Sequence, residues 1–164
     1  MSVIITGTGS YIPSSVTPND EFKDHRFFNE DGEQLSENNE VIIRKFKAIT
    51  GISERRYIKT HKVTSDIATF AANRAIENAG IDPETLDYIV VAHNYGDVPN
   101  GHHQSDTVPS LASRVKHQLK IKNPRCVAYD ILFGCPGWVE ATIHCNAFMR
   151  GGMAKKCLVI GAEA

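Results

Sequence analysis

The sequence predicts an α/β fold built from short apolar strands alternating with amphipathic helices. Three observations predict it. Compact β-rich runs such as Tyr88–Ala92 (YIVVA) and 156–160 (KCLVI) are too apolar for a strand with one wet face. Residues 64–79 carry helical apolar spacing, and glycines and prolines punctuate the segments between. At 164 residues the chain suits one domain spanning 1–164, and its 41% hydrophobic content is enough for a packed core.

Ser2 to Thr6 is an apolar run closed by Gly7-Thr8-Gly9, the pattern of a buried strand ending in a turn. The GTG lacks a third glycine and a following helix, so it fails as a dinucleotide fingerprint. Pro18 to Glu40 is polar and reads as a short capped helix plus a mobile loop. Val41 to Ile49 then has helical spacing, with Thr50-Gly51 as its stop, and ISERRYI is a strand. In the helix at Thr64–Ala79, Ser65 is placed to cap, Asp66 suits the first turn and Gly80 ends it. IDPETLD is a turn, Tyr88–Ala92 a strand, and Pro109 to Leu119 a helix with proline in its first turn. Residues 125–131 (RCVAYDI) form another strand, Pro136 to Arg150 a helix closed by Gly151-Gly152, and 156–160 the last strand.

Composition excludes several function classes. The formal charge is −1 and the lysines and arginines are scattered, which argues against a surface built to neutralise nucleic-acid phosphates. No window has the roughly 18 apolar residues of a membrane span, and the start, MSVIITGTGSYIP, lacks the features of a signal peptide, so the expected location is cytoplasmic. Cys126, Cys135, Cys145 and Cys157 match neither a C-x-x-C metal pair nor a small disulfide framework, so reduced thiols are expected. Between His93 and Val108 lies a long polar insertion with His93, His102 and His103. Adjacent histidines point different ways and no nearby residues complete a ligand set, so it reads as a solvated site-side loop and no metal is expected.

Cys135 is the candidate nucleophile. It stands between an apolar strand and a helix whose expected first residue is Pro136, so its sulfur meets a helix N-terminus where free N–H groups and the macrodipole favour a thiolate. Gly134 and Gly137 flank the elbow; they are expected to clear space for an incoming acyl thioester and to permit a tight turn. Cys126, Cys145 and Cys157 lie inside strand and helix patterns and read as packing residues. His144, more than two turns along the helix after Cys135, reads as packed or solvated.

Six segments in order, GTGSYIP, TGISERR, TSDIATFAANRAIENAGIDPETLDYIVVAH, PSLASRV, FGCPGW and GGMAKKCLVIGAEA, resemble β-ketoacyl-acyl carrier protein synthase III across essentially the whole chain. The resemblance implies a thiolase-like half, layered α-β-α, with a mixed five-stranded sheet. It implies that Cys135 is acylated by a thioester and then attacked by a carbanion from a malonyl group on acyl carrier protein, giving a 3-oxoacyl thioester. The Cys135 backbone N–H becomes an oxyanion donor, no cofactor is required, and the strand at about 125–131 pairs with its twin in a homodimer. The family is about twice this length, and its catalytic His and Asn lie beyond Ala164.

Two departures qualify the resemblance. Acyl-CoA-primed relatives carry a Trp and an Arg just before the TGI motif, where this chain has Lys45 and Ile49. The insertion after His93 is also long, so a different primer is expected, with Phe46 as a candidate stacking residue for substrate. The alternatives are a thiolase-fold condensing enzyme of hydroxymethylglutaryl-CoA, polyketide, resorcinol or pigment type, or a silent fragment that dimerises or binds a carrier.

Overall fold

Strand β3 (Tyr88–His93) organises the larger part of the molecule because it is buried on both faces. The computed structural model describes residues 2–164, which fall into two units: Ile12–Lys59, and residues 2–11 together with Thr60–Ala164.

In the larger unit, β3 is flanked by β4 (Val127–Leu132) and β5 (Cys157–Gly161), both parallel to it, in the order β4-β3-β5. Side chains of β3 alternate between two clusters, as a period of two requires. Ile89 and Val91 pack with Ala68, Ala72 and Ile76 of α2 (Thr64–Ala79) and with Leu111, Ala112 and Val115 of α3 (Leu111–Gln118). Val90 and Ala92 face Ala141 and Cys145 of α4 (Gly137–Arg150). Helix, sheet and helix thus form three layers, the expected α/β arrangement. Cys126 and Cys145 are buried and Cys157 half-buried within these clusters, all as free thiols.

The smaller unit holds the antiparallel pair β1 (Ser15–Pro18) and β2 (Glu54–Tyr57), with Ser15 opposite Tyr57. Its helix α1 (Asn39–Thr50) starts where the Asn38 side chain accepts the Glu40 N–H at 2.7 Å. It ends at Gly51, whose φ of 71° is the left-handed conformation glycine adopts without strain. Between β1 and α1 the chain contains one 3-10 turn, Asn19–Phe22, and an isolated antiparallel bridge between Phe28 and Gln34.

Among the described residues the mixed strands do not form one five-stranded sheet: three parallel strands make one sheet and two antiparallel strands another. The expected strand at Ser2–Thr6 is the missing member. It has no ladder partner, Ile4 and Ile5 are 73% and 70% exposed, and the segment instead leads onto α2. There Thr8 N–H bonds the Asn78 side chain at 3.0 Å and Arg74 donates to the Ser10 carbonyl at 2.6 Å. A Cβ on Gly7 or Gly9 would fall 2.6 or 2.4 Å from an α2 carbonyl oxygen, so the GTG glycines serve close backbone approach.

Three helix starts differ from expectation. Ser65 does not cap α2; Val63 is the cap residue, its N–H held by the Asp66 carboxylate at 3.2 Å. Helix α3 begins at Leu111, capped by the Ser110 hydroxyl, rather than at Pro109. Pro136 is the cap residue of α4, whose first helical residue is Gly137.

Candidate active site

The parallel strands β3, β4 and β5 end at one edge of the sheet, where open α/β sheets place their ligand sites. Backbone bonds continue the ladder past the strand ends: Phe133 N–H reaches the His93 carbonyl at 3.3 Å, and Ala162 N–H reaches that of Ala92 at 3.1 Å. The chain leaving β4 therefore turns beside the chain leaving β3.

That turn carries Cys135. Gly137 N–H donates to the Gly134 carbonyl at 2.8 Å, closing a turn with Cys135 exposed on it. No side chain caps α4, whose first residue, Gly137, follows Cys135 by two positions. With Pro136 as cap, the sulfur lies one residue further from the helix than the sequence suggests.

The two elbow glycines serve different ends. A Cβ on Gly134 would meet only the Asn94 Oδ1, at 3.9 Å, so its lack of a side chain leaves open space. Gly137 is buried, and a Cβ there would stand 3.0 Å from the Ala92 Cβ. Its absent side chain lets α4 approach β3 closely.

The insertion after His93 is anchored at its base. Asp97 and Asp106 exchange backbone bonds of 3.0 and 2.9 Å, and Arg114 bridges their carboxylates at 2.8 and 2.7 Å. The Asp97 carboxylate, buried, also accepts the Ser65 N–H and hydroxyl, each at 2.7 Å, and thereby holds the first turn of α2. Arg114 holds the Asp106 carboxyl below the ordinary range, through its hydrogen bond first. His102 and His103 are exposed at the far end.

His93 belongs to this base and not to the solvated loop. Its ring is fully buried, with Nε2 3.0 Å from Asp130 Oδ2 and Nδ1 accepting the Gly96 N–H at 2.9 Å. An accepting Nδ1 assigns the proton to Nε2, which donates to Asp130. Asp130 in turn accepts the N–H groups of Leu111 and Ala112 at 2.7 and 2.8 Å, anchoring the start of α3. The signal for this pair was an aspartate within the apolar strand VAYDIL and a histidine ending another, each too costly to bury without a partner. Asn94 and Glu163, bonded through the Asn94 N–H at 2.7 Å, carried no such signal.

Phe46 lies in the smaller unit, half-buried, edge-on to Phe22 and Phe27 at 6.2 and 5.6 Å, with the Arg55 guanidinium 5.5 Å from its ring centre. Those contacts engage the ring in packing. Lys45 pairs with Glu37 at 2.7 Å, and Ile49 is 80% exposed. His144 pairs with Glu140 one turn earlier on α4 at 3.3 Å.

No family model matches the chain. Over 160 residues it is 36% identical to β-ketoacyl-[acyl-carrier-protein] synthase III 1 of Vibrio parahaemolyticus, covering 98% of this chain and 43% of the relative. A synthase III of Neisseria meningitidis is 35% identical over 159 residues, covering 97% and 43%. The match is to the N-terminal half of the synthase III family. Among solved structures, synthase III of Thermus thermophilus superposes with a TM-score of 0.72 at 27% identity, covering 97% of this chain and 42% of that one. The thiolase-like fold is therefore shared with synthase III, and this chain spans less than half the length of these relatives. No described helix is long and apolar enough to cross a membrane.

Proposed function

We propose that this chain is the nucleophile-bearing half of a condensing acyltransferase of fatty-acid or related lipid synthesis. The Cys135 thiolate attacks the carbonyl of an acyl thioester, forming a new thioester and releasing the donor thiol. Decarboxylation of a malonyl group on acyl carrier protein then supplies a two-carbon carbanion, which attacks the acyl-enzyme. Carbon–carbon bond formation expels the Cys135 thiolate and yields a 3-oxoacyl-carrier thioester.

One observation carries this reading: an exposed cysteine on a turn between a parallel strand and an uncapped helix, at the strands' C-terminal edge, in a chain matching synthase III. The Cys135 N–H is the proposed donor to the thioester oxyanion, and the open space at Gly134 is the proposed entry for the acyl group. The unpaired edge of β4 is the proposed homodimer contact, since a bare edge needs cover. The cytoplasm is the proposed location.

The test is intact-mass spectrometry after incubation with acyl-CoA and acyl-carrier thioesters, followed by peptide mapping. A single adduct on Cys135 is expected, lost in Cys135→Ala and kept in Cys126→Ala. Equal labelling of the two variants would overturn the assignment.

A further inference from the structure

We propose that His93 is a positioning residue that fixes Asn94 beside the Cys135 elbow, and that the Asn94 carboxamide contacts the acyl thioester bound there. This rests on the acyl-loading function proposed above.

The chain reverses immediately after β3. Gly96 N–H returns to His93 Nδ1 at 2.9 Å, so the imidazole closes a four-residue turn with Asn94 and Tyr95 at its outside. Gly96 has φ 78°, and a Cβ on it would sit 2.7 Å from the Asp106 carbonyl oxygen, so the turn is wedged against the base of the insertion. From the other side, Glu163, just past β5, accepts the Asn94 N–H at 2.7 Å. The first bond joins buried His93 and Gly96 on either side of Asn94, and the second acts on Asn94 itself, which is exposed. An exposed residue needs no such anchoring for stability alone, since its groups are satisfied by water.

The anchoring sets the place of one side chain. Among the described residues, and apart from its chain neighbours, Asn94 Oδ1 is the one atom within 4 Å of where a Cβ on Gly134, the residue before Cys135, would stand. Among the described residues the carboxamide makes no hydrogen bond, leaving an N–H donor and a carbonyl acceptor free. A thioester carbonyl meeting Cys135 needs a polar partner of that kind.

His93 itself is excluded from proton transfer. Its ring is fully buried and both nitrogens are committed, one accepting from Gly96 and the other donating to Asp130. Its backbone carbonyl also receives the Phe133 N–H, so one residue ties the turn after β3 to the approach to the elbow. That arrangement positions groups and leaves no lone pair for a substrate.

A double-mutant cycle in the full-length protein tests the proposal. His93→Gln keeps a donor toward Asp130 but removes the ring nitrogen that receives the Gly96 N–H; Asn94→Ala removes the carboxamide at an exposed site. Acylation of Cys135 by acetyl-CoA and octanoyl-CoA is followed by mass, alongside alkylation by iodoacetamide, which requires no positioned carbonyl. Each variant should slow acylation by about tenfold, and the double variant by no more than either alone, because His93 acts through Asn94. Alkylation should stay within about twofold of wild type, a split that general unfolding would not produce. Wild-type acylation in Asn94→Ala, or slowing that multiplies to about a hundredfold in the double variant, would overturn the proposal. Should His93→Gln fail to fold, Asn94→Ala decides alone. A wild-type protein that alkylates yet takes no acyl group from any thioester would instead overturn the acyl-loading function.

Discussion

Replacing Gly137 by alanine tests whether the elbow is held by close packing of α4 on β3. The new Cβ would lie 3.0 Å from the Ala92 Cβ and 3.6 Å from the Phe133 Cβ, so the first turn of α4 must retreat by a few tenths of an ångström. Overpacking of this kind costs about 1–3 kcal/mol, and the better helix propensity of alanine returns up to about 1, for a net loss of about 1–2 kcal/mol. Removing the opposing methyl in Ala92→Gly should relieve the clash, so the double variant should show about 1 kcal/mol of favourable coupling. Gly134→Ala is the internal control. Its Cβ meets only Asn94 Oδ1 at 3.9 Å, and stability should change by less than about 0.5 kcal/mol. Urea unfolding followed by far-ultraviolet circular dichroism measures all four, with the midpoint moving at constant slope. If Gly137→Ala is as harmless as Gly134→Ala, or if Ala92→Gly fails to relieve it, the packing account is wrong.

Further outcomes are expected elsewhere. Asp97→Ala removes the partner of Ser65 and half of the Arg114 bridge, and should cost about 2–4 kcal/mol; a thermal shift no larger than that of exposed Asp31→Ala would count against this. The Lys155 backbone N–H, ahead of that of Lys156, holds the Asp87 carboxyl below its ordinary value of 3.8. The unfolded chain therefore binds more protons in that window, so Asp87 stabilises fully above the ordinary value and loses its contribution as pH falls through the lowered one. Acid unfolding of Asp87→Asn should be less steep there, and parallel curves would refute the linkage. Burial pushes the Cys126 thiol up, so at neutral pH iodoacetamide should label exposed Cys135 and spare Cys126; comparable labelling by peptide mapping would contradict it.

Local signals were legible where the determining chemistry is local. The extent of α2, the stop of α1 at Gly51 and the apolar strand β3 follow from side-chain spacing and from glycine's freedom at positive φ. Cys135 was legible for the same reason: a strand, a short glycine-bearing turn and a helix start are contiguous in sequence. Ser2–Thr6 misled because an apolar β-rich run records a preference, whereas a strand also needs a neighbouring edge for its N–H and C=O groups. The glycines at 134 and 137 look alike in sequence, and only the position of Ala92 on another element separates them.

By itself, then, the sequence determined the α/β alternation, the helix ends marked by glycine and the cysteine at the turn, because each depends on residues within a turn or two of one another. Tertiary structure alone decided the partition into three parallel and two antiparallel strands. It also decided the hold of Asp97 on Ser65 in the first turn of α2 and the pairing of buried His93 with Asp130, together with the placing of Asn94 beside the elbow. Those contacts join residues far apart along the chain, and a buried carboxylate or imidazole takes its partner from whichever backbone the packed core brings within hydrogen-bonding reach.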